Sequence, residues 1–311
     1  MPLHPQVEAN LKLLAEMNLP QMSTLSPAEA RIAAAERRAA ASLEKEPVDR
    51  VEESTIPGPA GDLPVRIYTP AGGGSRPLLM VFHGGGWVLG SPESEDTTAR
   101  GLVNRTGAVA VSVDYRLAPE SRFPAAAEDC YAATVWAVEH ASELGADGTR
   151  VGVAGTSAGG NLSAVVSLMV RDRDGPAISH QVLFNPVIDF NTNTQSYLDN
   201  AEGHGMTRGD MLWFWDNYVP DESERANPYA SPMRAGDVSG LPAATVITAE
   251  YDVLRDEAEA YAERLRAAGV DVQCTRYDGM IHGFNNQLGL YDRAKEALDE
   301  AGARLNASFG A

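Results

Sequence analysis

The hydrophobic pattern divides the chain into a short helical start and a longer region in which strands and helices alternate. Apolar residues recur at helical spacing in residues 5–17 and 26–45, and the second stretch opens with Ser26 and Pro27, a typical N-cap and first-turn proline. Short apolar runs bounded by Gly and Pro then predict strands. These runs are LPVRIYTP, PLLMVF, AVAVSVDYR, RVGVAG, SHQVLFNPV, AATVITAEYD and VDVQCTRYD. Helices are predicted at residues 124–144, 157–171, 255–268 and 288–305.

Several of these strands are apolar throughout, as is typical of a parallel sheet that is covered on both faces. Strands that alternate with helices through short connections predict an α/β fold with a doubly wound, mostly parallel sheet. Residues 190–240 interrupt the alternation with a stretch rich in Asn, Asp, Pro and aromatic side chains, and one helix is predicted near 207–218. An insertion of this kind in a regular α/β chain is more often functional than idle.

Composition limits the kinds of partner that the chain can have. Its 25 basic and 43 acidic side chains give a net charge of −18, which argues against nucleic acid and anionic membrane surfaces. No apolar run approaches the length of a membrane span, and the first residues lack the pattern of a signal peptide. Cys130 and Cys274 are too few for a disulfide framework in 311 residues. We therefore expect a soluble, cytoplasmic protein with two reduced thiols.

The stretch VGVAGTSAGGNLSAVV places Ser157 between two glycines, where a predicted strand becomes a predicted helix. A GxSxG match alone can arise by chance, but the strand before it and the helix after it favour a function. Ligands of open α/β sheets bind beyond the carboxyl ends of the strands, which is where Ser157 falls. Gly155 and Gly159 permit a tight turn whose apex residue is strained and exposed. The pattern predicts a nucleophilic serine at the start of a helix.

A nucleophilic serine requires donors for the negative charge that develops on the carbonyl oxygen. His83 and a glycine triplet follow directly on an apolar strand and precede Trp87. Glycines allow the backbone to direct its amides to one point. The amides of Gly84, Gly85 and Ala158 are predicted to form this oxyanion hole, at about 3 kcal/mol per donor. A flexible turn is the alternative explanation of the triplet, and His83 is expected to brace the loop.

The serine also requires a base and an acid that orients it. His282 follows a predicted strand, precedes Gly283 and lies before the last helix, so it is the candidate base among six histidines. Asp252 ends another strand and is the candidate acid, with Glu250 and Asp256 as competitors within reach. An aspartate there fixes the tautomer of the histidine and stabilises its cation. The order Ser, Asp, His along the chain is that of α/β-hydrolases.

These motifs, taken together and in this order, identify a resemblance that covers about residue 50 to the C-terminus. The chain resembles the hormone-sensitive-lipase-like esterases, the bacterial family IV branch of the α/β-hydrolases, and in particular the GTSAG subgroup. The resemblance rests on HGGGW (83–87), DYRLAPE (114–120), FPAA (123–126), GTSAGGNL (155–162), AEYDVLRDE (249–257) and IHGF (281–284). Two positions depart from the common family pattern, since Thr156 replaces an aspartate and Val253 replaces a proline. Neither departure removes a catalytic side chain.

The resemblance implies an α/β-hydrolase fold with a helical cap over the acyl pocket. Residues 1–45 are expected to form an N-terminal cap segment, and residues 46–311 the catalytic domain with a cap insertion at about 190–230. The implied activity is hydrolysis of short- to medium-chain acyl esters through an acyl-enzyme. Aromatic side chains could line the pocket or only pack the cap, and both interpretations stay open for Trp87, Trp213, Phe214 and Trp215.

Other interpretations use the same fold. An amide or a lactone could replace the ester, because one site can serve several acyl transfers. A binding protein without catalysis, like the plant gibberellin receptors, is disfavoured because His282 is present. We expect no cofactor, since no CxxC, HExxH or other metal spacing occurs. The resemblance also implies a possible homodimer through the edge near the last strand, VDVQCTRY.

Overall fold

The computed structural model describes residues 2–41 and 43–310 as eight strands and nine helices longer than one 3₁₀ turn. The strands are β1 (Arg50–Gly58), β2 (Gly61–Thr69), β3 (Arg76–Phe82), β4 (Val109–Val113), β5 (Ala146–Thr156), β6 (His180–Phe184), β7 (Ala243–Tyr251) and β8 (Val272–Ile281). The helices are α1 (Pro5–Glu16), α2 (Pro27–Ala40), α3 (Asp96–Thr106), α4 (Ala125–Glu139), α5 (Ala158–Asp172), α6 (Gln195–Asp199), α7 (Arg208–Tyr218), α8 (Arg255–Ala267) and α9 (Asp292–Phe309).

All eight strands form one sheet in the order β1-β2-β4-β3-β5-β6-β7-β8. β1 and β2 form an antiparallel hairpin, β2 is also antiparallel to β4, and every later pair is parallel. The carboxyl ends of β3, β5, β6, β7 and β8 therefore meet at one edge of the sheet. In an open α/β sheet this edge is where ligands bind.

Helices cover both faces of the sheet, as the continuous apolar strands predict. On one face α3 and α9 pack against alternate side chains of the central strands, with Leu79, Val182 and Ile247 among the residues in contact. On the other face α4, α5 and α8 cover the intervening side chains, such as Met80 and Leu183. The α/β-hydrolase fold expected from the sequence is thus confirmed.

Three elements of the fold have no counterpart in the sequence prediction: β1, α3 and the short helix α6. β1 has a polar sequence, and Ile56 is its one buried side chain, so the hydrophobic pattern gives little sign of a strand. α3 buries Asp96, Thr97 and Thr98 together with its apolar residues. Buried polar positions weaken the helical periodicity on which the prediction depends.

Some predicted boundaries also shift. α2 ends at Ala40, because the chain then turns and extends along the catalytic domain, where Glu44 N–H donates to Leu288 O at 3.0 Å. The last helix runs from Asp292 to Phe309 instead of 288–305. Within the described ranges, no helix has the length and apolar character needed to cross a membrane.

Candidate active site

Ser157 lies at the turn between β5 and α5, and its backbone has the positive φ that a tight strand-to-helix turn requires. Its φ and ψ are 59° and −117°, a conformation that costs a non-glycine residue on the order of 1–3 kcal/mol. Two backbone bonds from the neighbouring strand hold it there. Ser157 N–H donates to Phe184 O at 2.8 Å, and Val187 N–H donates to Ser157 O at 3.2 Å. The structure thus presents the predicted nucleophile on a sharp, supported turn.

The glycines near Ser157 allow backbone atoms of neighbouring elements to approach the turn closely. A Cβ atom at Gly159 would overlap the carbonyl oxygen of Phe82 at the end of β3. A Cβ atom at Gly155 would overlap the backbone of Gly159 itself. The two glycines of GTSAG are therefore required by contact between β5, α5 and β3.

The glycine triplet forms a turn directly after β3, opposite the Ser157 turn. The Gly84 N–H donates to Glu95 Oε2 at 3.3 Å, so this amide already has an acceptor. The amides of Gly85 and Gly86 make no hydrogen bond to another residue in the described part of the chain. Ala158 is the first residue of α5, and its N–H has no acceptor within the helix. Three backbone donors are therefore available around Ser157: those of Gly85, Gly86 and Ala158.

His83 braces the glycine turn, as expected from its place in the motif. Its Nδ1–H donates to Gly84 O at 2.8 Å, and its ring stacks on Tyr115 at a centroid distance of 4.1 Å. The Tyr115 hydroxyl donates in turn to His83 O at 2.8 Å. Complete burial lowers the pKa of His83 to about 4, so its ring is neutral at physiological pH.

Asp252 and His282 are brought together from β7 and β8. His282 Nδ1–H donates to Asp252 Oδ2 at 2.8 Å, and the other carboxylate oxygen accepts from Leu254 N–H at 3.0 Å. Asp252 is buried and 1% exposed. A buried carboxylate held by a backbone amide fixes the imidazole so that Nε2 is free to accept a proton.

The two competing acids have other partners. Glu250 Oε2 accepts from Gly279 N–H at 2.7 Å, on the strand that leads to the histidine. Asp256 accepts from Arg255 Nε in its own helix at 3.0 Å and from Ser196 N–H at 2.7 Å. Of the three acids, Asp252 is the one bonded to His282, and Asp256 attaches α6 of the insertion to the first turn of α8.

The loop of His282 is attached to the turn of Ser157 by a buried side chain. Asn285 Nδ2–H donates to Thr156 Oγ1 at 2.8 Å. Thr156 directly precedes the serine, and Asn285 follows the histidine by three residues. The sequence analysis did not identify Asn285. A polar side chain beside the IHGF motif was the available signal.

The four aromatic residues predicted near the pocket form a packed group. Trp87 stacks on Tyr218 at 4.2 Å and contacts Trp215 at 5.0 Å. Both Trp rings are fully buried, and Phe214 is 1% exposed against Gly86. Trp213 contacts Phe214 edge-on at 5.2 Å and stays partly exposed. These contacts attach α7 to the glycine turn, and the contribution of the four rings to substrate binding stays a prediction.

No group of three His, Cys, Asp or Glu side chains in residues 2–41 and 43–310 is arranged to hold a metal ion. Both cysteines are free thiols, with Cys130 buried and Cys274 partly buried. The expectation of two separate thiols therefore agrees with the structure.

Comparison with known proteins agrees with this fold. The sequence profile described as "alpha/beta hydrolase fold" matches residues 79–286, more than half of the chain. The chain therefore belongs to the alpha/beta-hydrolase family, in its hormone-sensitive-lipase-like branch of carboxylic ester hydrolases.

Individual relatives support the same class. The chain is 41% identical to an arylesterase of Saccharolobus solfataricus, and the match covers 99% of this chain and 100% of that one. It is 47% identical to carboxylic ester hydrolase LipN of Mycobacterium tuberculosis over 77% of this chain and 66% of that protein. Among solved structures, a thermostable esterase from Pseudomonas putida ECU1011 superimposes with a TM-score of 0.94 at 43% identity, covering 99% of this chain and 98% of that one.

Proposed function

We propose that this esterase uses Ser157 as nucleophile, His282 as general base and Asp252 as the acid that orients the base. The observation that carries the assignment is the 2.8 Å hydrogen bond between His282 Nδ1 and Asp252 Oδ2. The bond between Asn285 and Thr156 supports it, because it attaches the base loop to the turn of the nucleophile.

The reaction proceeds in two steps. His282 Nε2 takes the proton of Ser157 while Oγ attacks the ester carbonyl carbon, and the tetrahedral intermediate forms. The C–O bond to the alcohol breaks as His282 returns the proton to the leaving oxygen. Water, deprotonated by His282, then attacks the acyl-enzyme. As the second tetrahedral intermediate collapses, the bond to Ser157 Oγ breaks, His282 returns the proton to Oγ, and the acid is released.

We place the oxyanion hole on the amides of Gly85, Gly86 and Ala158. The sequence prediction has Gly84 in place of Gly86. Because the Gly84 N–H donates to Glu95, an oxyanion would have to compete with a carboxylate for that amide. The neighbouring amides have no such competitor, and Ala158 adds the positive end of α5.

The proposed substrates are esters with short to medium acyl chains. The support is the aromatic group of α7 and Trp87, in which Phe214 packs against Gly86 of the glycine turn. A set of p-nitrophenyl esters from C2 to C16 tests the chain length. We expect the maximum of kcat/KM below C10, and a maximum at C12 or longer would contradict the proposal.

Release of p-nitrophenol from p-nitrophenyl butyrate tests the nucleophile. We expect Ser157→Ala to lose at least about 10³-fold in kcat, since the hydroxyl forms the covalent intermediate. Ser163→Ala is the matched control, because Ser163 lies on the same helix and its hydroxyl donates to Gly159 O. Activity retained in folded Ser157→Ala would contradict the assignment.

Two finer proposals concern the state of the protein in the cell. A cytoplasmic location is supported by the two free cysteines, Cys130 and Cys274. A homodimer is supported by the position of β8 as the last strand of the sheet, because its outer edge pairs with no other strand of the described residues. Light scattering should then give twice the monomer mass of 33.1 kDa, and the monomer mass itself would refute the dimer.

A further inference from the structure

Glu95 is a buried acid that lies between the parts of the active site without belonging to the triad. It ends the 3₁₀ turn Pro92–Glu95 that precedes α3, and it is 1% exposed. Its Oε1 accepts from Thr156 Oγ1–H at 2.7 Å, and its Oε2 accepts from Gly84 N–H at 3.3 Å. One carboxyl group therefore contacts both the residue before the nucleophile and the first glycine of the oxyanion turn.

The loop that carries His282 contacts the same group of residues. Thr156 Oγ1 accepts a hydrogen bond from Asn285 Nδ2 at 2.8 Å, and Asn285 Oδ1 accepts from Asn185 Nδ2 at 3.0 Å. The next residue, Asn286, donates from Nδ2 to Ser94 O at 2.6 Å, immediately before Glu95. The loops of the nucleophile, the base and the oxyanion hole thus converge on this carboxyl group.

The direction of these hydrogen bonds defines what Glu95 does. Thr156 Oγ1 accepts from Asn285, and its own proton is donated to the Glu95 carboxylate. The Gly84 amide can only donate. Glu95 is therefore an acceptor towards both partners. Burial raises the pKa of Glu95, and the donors from Thr156 and Gly84 together with the Arg38 charge act in the opposite direction.

The glycine turn is held on two successive peptide planes. Glu95 holds the plane that contains the Gly84 N–H, and His83 Nδ1–H holds the next plane through Gly84 O. A peptide group is planar and its N–H is trans to its C=O. Fixing Gly84 O on one side therefore fixes the direction of the Gly85 N–H on the other, which is a proposed oxyanion donor.

We infer that Glu95 is a positioning residue for ester hydrolysis, whose carboxylate aligns the Gly84 peptide and the Thr156–Ser157 turn so that the oxyanion donors face the nucleophile. The inference rests on the proposed function of Ser157. It assigns to Glu95 an effect on the transition state rather than on substrate binding, because the Gly84 peptide and the Thr156 side chain that it holds directly precede the amides that bind the oxyanion and the nucleophile.

Glu95→Gln tests the inference with little change of volume. The amide is a neutral acceptor in place of a carboxylate, and its NH₂ group must face either the Gly84 N–H, which cannot accept, or the Thr156 hydroxyl, which must then turn its own proton away. We expect kcat for p-nitrophenyl butyrate to fall about 10- to 100-fold while KM stays within about threefold. The affinity for a trifluoromethyl ketone, whose serine adduct carries an oxyanion, should fall by the same factor as kcat.

Glu93→Gln is the matched control. Glu93 lies in the same 3₁₀ turn, but it pairs with Lys45 and Arg66 on the surface. Its substitution should leave kcat and ketone affinity at the wild-type values. If Glu95→Gln has a lower melting temperature but keeps the wild-type kcat and ketone affinity, Glu95 has only a structural role. That result would overturn the inference.

Thr156 provides a second test that does not depend on the folding of Glu95→Gln. Thr156→Ser keeps the hydroxyl and should retain kcat, whereas Thr156→Val should lower it by about the same factor as Glu95→Gln. Wild-type kcat in Thr156→Val would also overturn the inference. Failure of the proposed function gives a different result, namely activity that survives in Ser157→Ala.

Discussion

At the scale of single residues, this site depends on acids in three different environments. Asp252 is buried and bonded to a histidine, Glu95 is buried and bonded to neutral donors, and Glu257 is buried against the backbone amides of Ile188 and Asp189. Only the first of them is in position to orient a base. The role of each acid is therefore decided by the atom to which it is hydrogen-bonded and not by the type of side chain alone.

Asp252→Asn should lower kcat about 10³- to 10⁴-fold with little change in KM. The amide can donate to His282 Nδ1, which stabilises the tautomer whose Nε2 carries the proton and cannot accept one from Ser157. Steady-state kinetics with p-nitrophenyl butyrate measure the effect. The exposed Asp278→Asn serves as control, and an equal loss in both variants would contradict the role of Asp252.

Stability should depend on pH through His180, which is buried between Ser308 Oγ and Thr245 Oγ1 at 2.9 Å from each. Burial lowers its pKa to about 4. Its contribution to stability is complete above the unfolded-state pKa of about 6.5 and is lost as the pH falls towards 4. Between pH 7.5 and 5 this loss is about 2 kcal/mol.

His180→Gln removes that titration and should flatten the pH dependence by about the same 2 kcal/mol, although the variant is less stable at pH 7.5. Urea unfolding of wild type and variant at the two pH values gives the difference. An identical decline in both proteins would mean that His180 does not titrate in this range.

At the scale of elements, the turn between β5 and α5 is the most constrained connection of the fold. Gly159→Ala should lower the free energy of unfolding by about 3 kcal/mol, because the new methyl group overlaps the Phe82 carbonyl. Gly73→Ala is the matched control, since no atom lies within 4 Å of the added carbon in that loop. Urea unfolding measures both, and equal stability of the two variants would contradict the prediction.

The secondary-structure elements also show how much of the fold could be predicted from the sequence. The strands that end near Ser157 and Asp252 are largely buried and apolar, so these two candidates could be located from hydrophobicity. His282 follows β8, a partly exposed strand with several polar residues, and the neighbouring Gly283 was the additional signal. β1 and α3 could not, because their buried positions are few or polar. The role of Glu95 could not be predicted for a related reason. Its partners Thr156 and Gly84 lie next to it because of the order of the strands in the sheet, and the sequence pattern does not reveal that order.

At the scale of the whole molecule, the N-terminal segment is anchored to the catalytic domain by Arg31 of α2. Its guanidinium donates to Val88 O and Ala118 O at 2.8 Å each and pairs with Glu120. These acceptors lie just after the glycine turn and in the DYRLAPE segment. The segment predicted as a cap therefore also supports the backbone beside the oxyanion hole.

Arg31→Ala should lower the free energy of unfolding by about 1–3 kcal/mol, because two carbonyl groups lose a charged donor. Arg50→Ala is the control, since Arg50 is largely exposed and pairs with Glu52 on the surface. Urea unfolding of both variants gives the comparison. A loss in Arg31→Ala no greater than that in Arg50→Ala would show that Arg31 is not an anchor.

The attachment of α1 has a consequence for biosynthesis. The first residues of the chain bind among the last: His4 N–H donates to Gly279 O at 3.0 Å, and Asn10 donates to the Tyr291 hydroxyl at 2.7 Å across 281 residues. During translation, α1 is therefore synthesised long before the residues that it contacts. An isolated helix of 12 residues has only marginal stability in water. Because these contacts flank the loop of His282, we expect this loop to reach its final position only when α1 packs against β8 and the segment before α9.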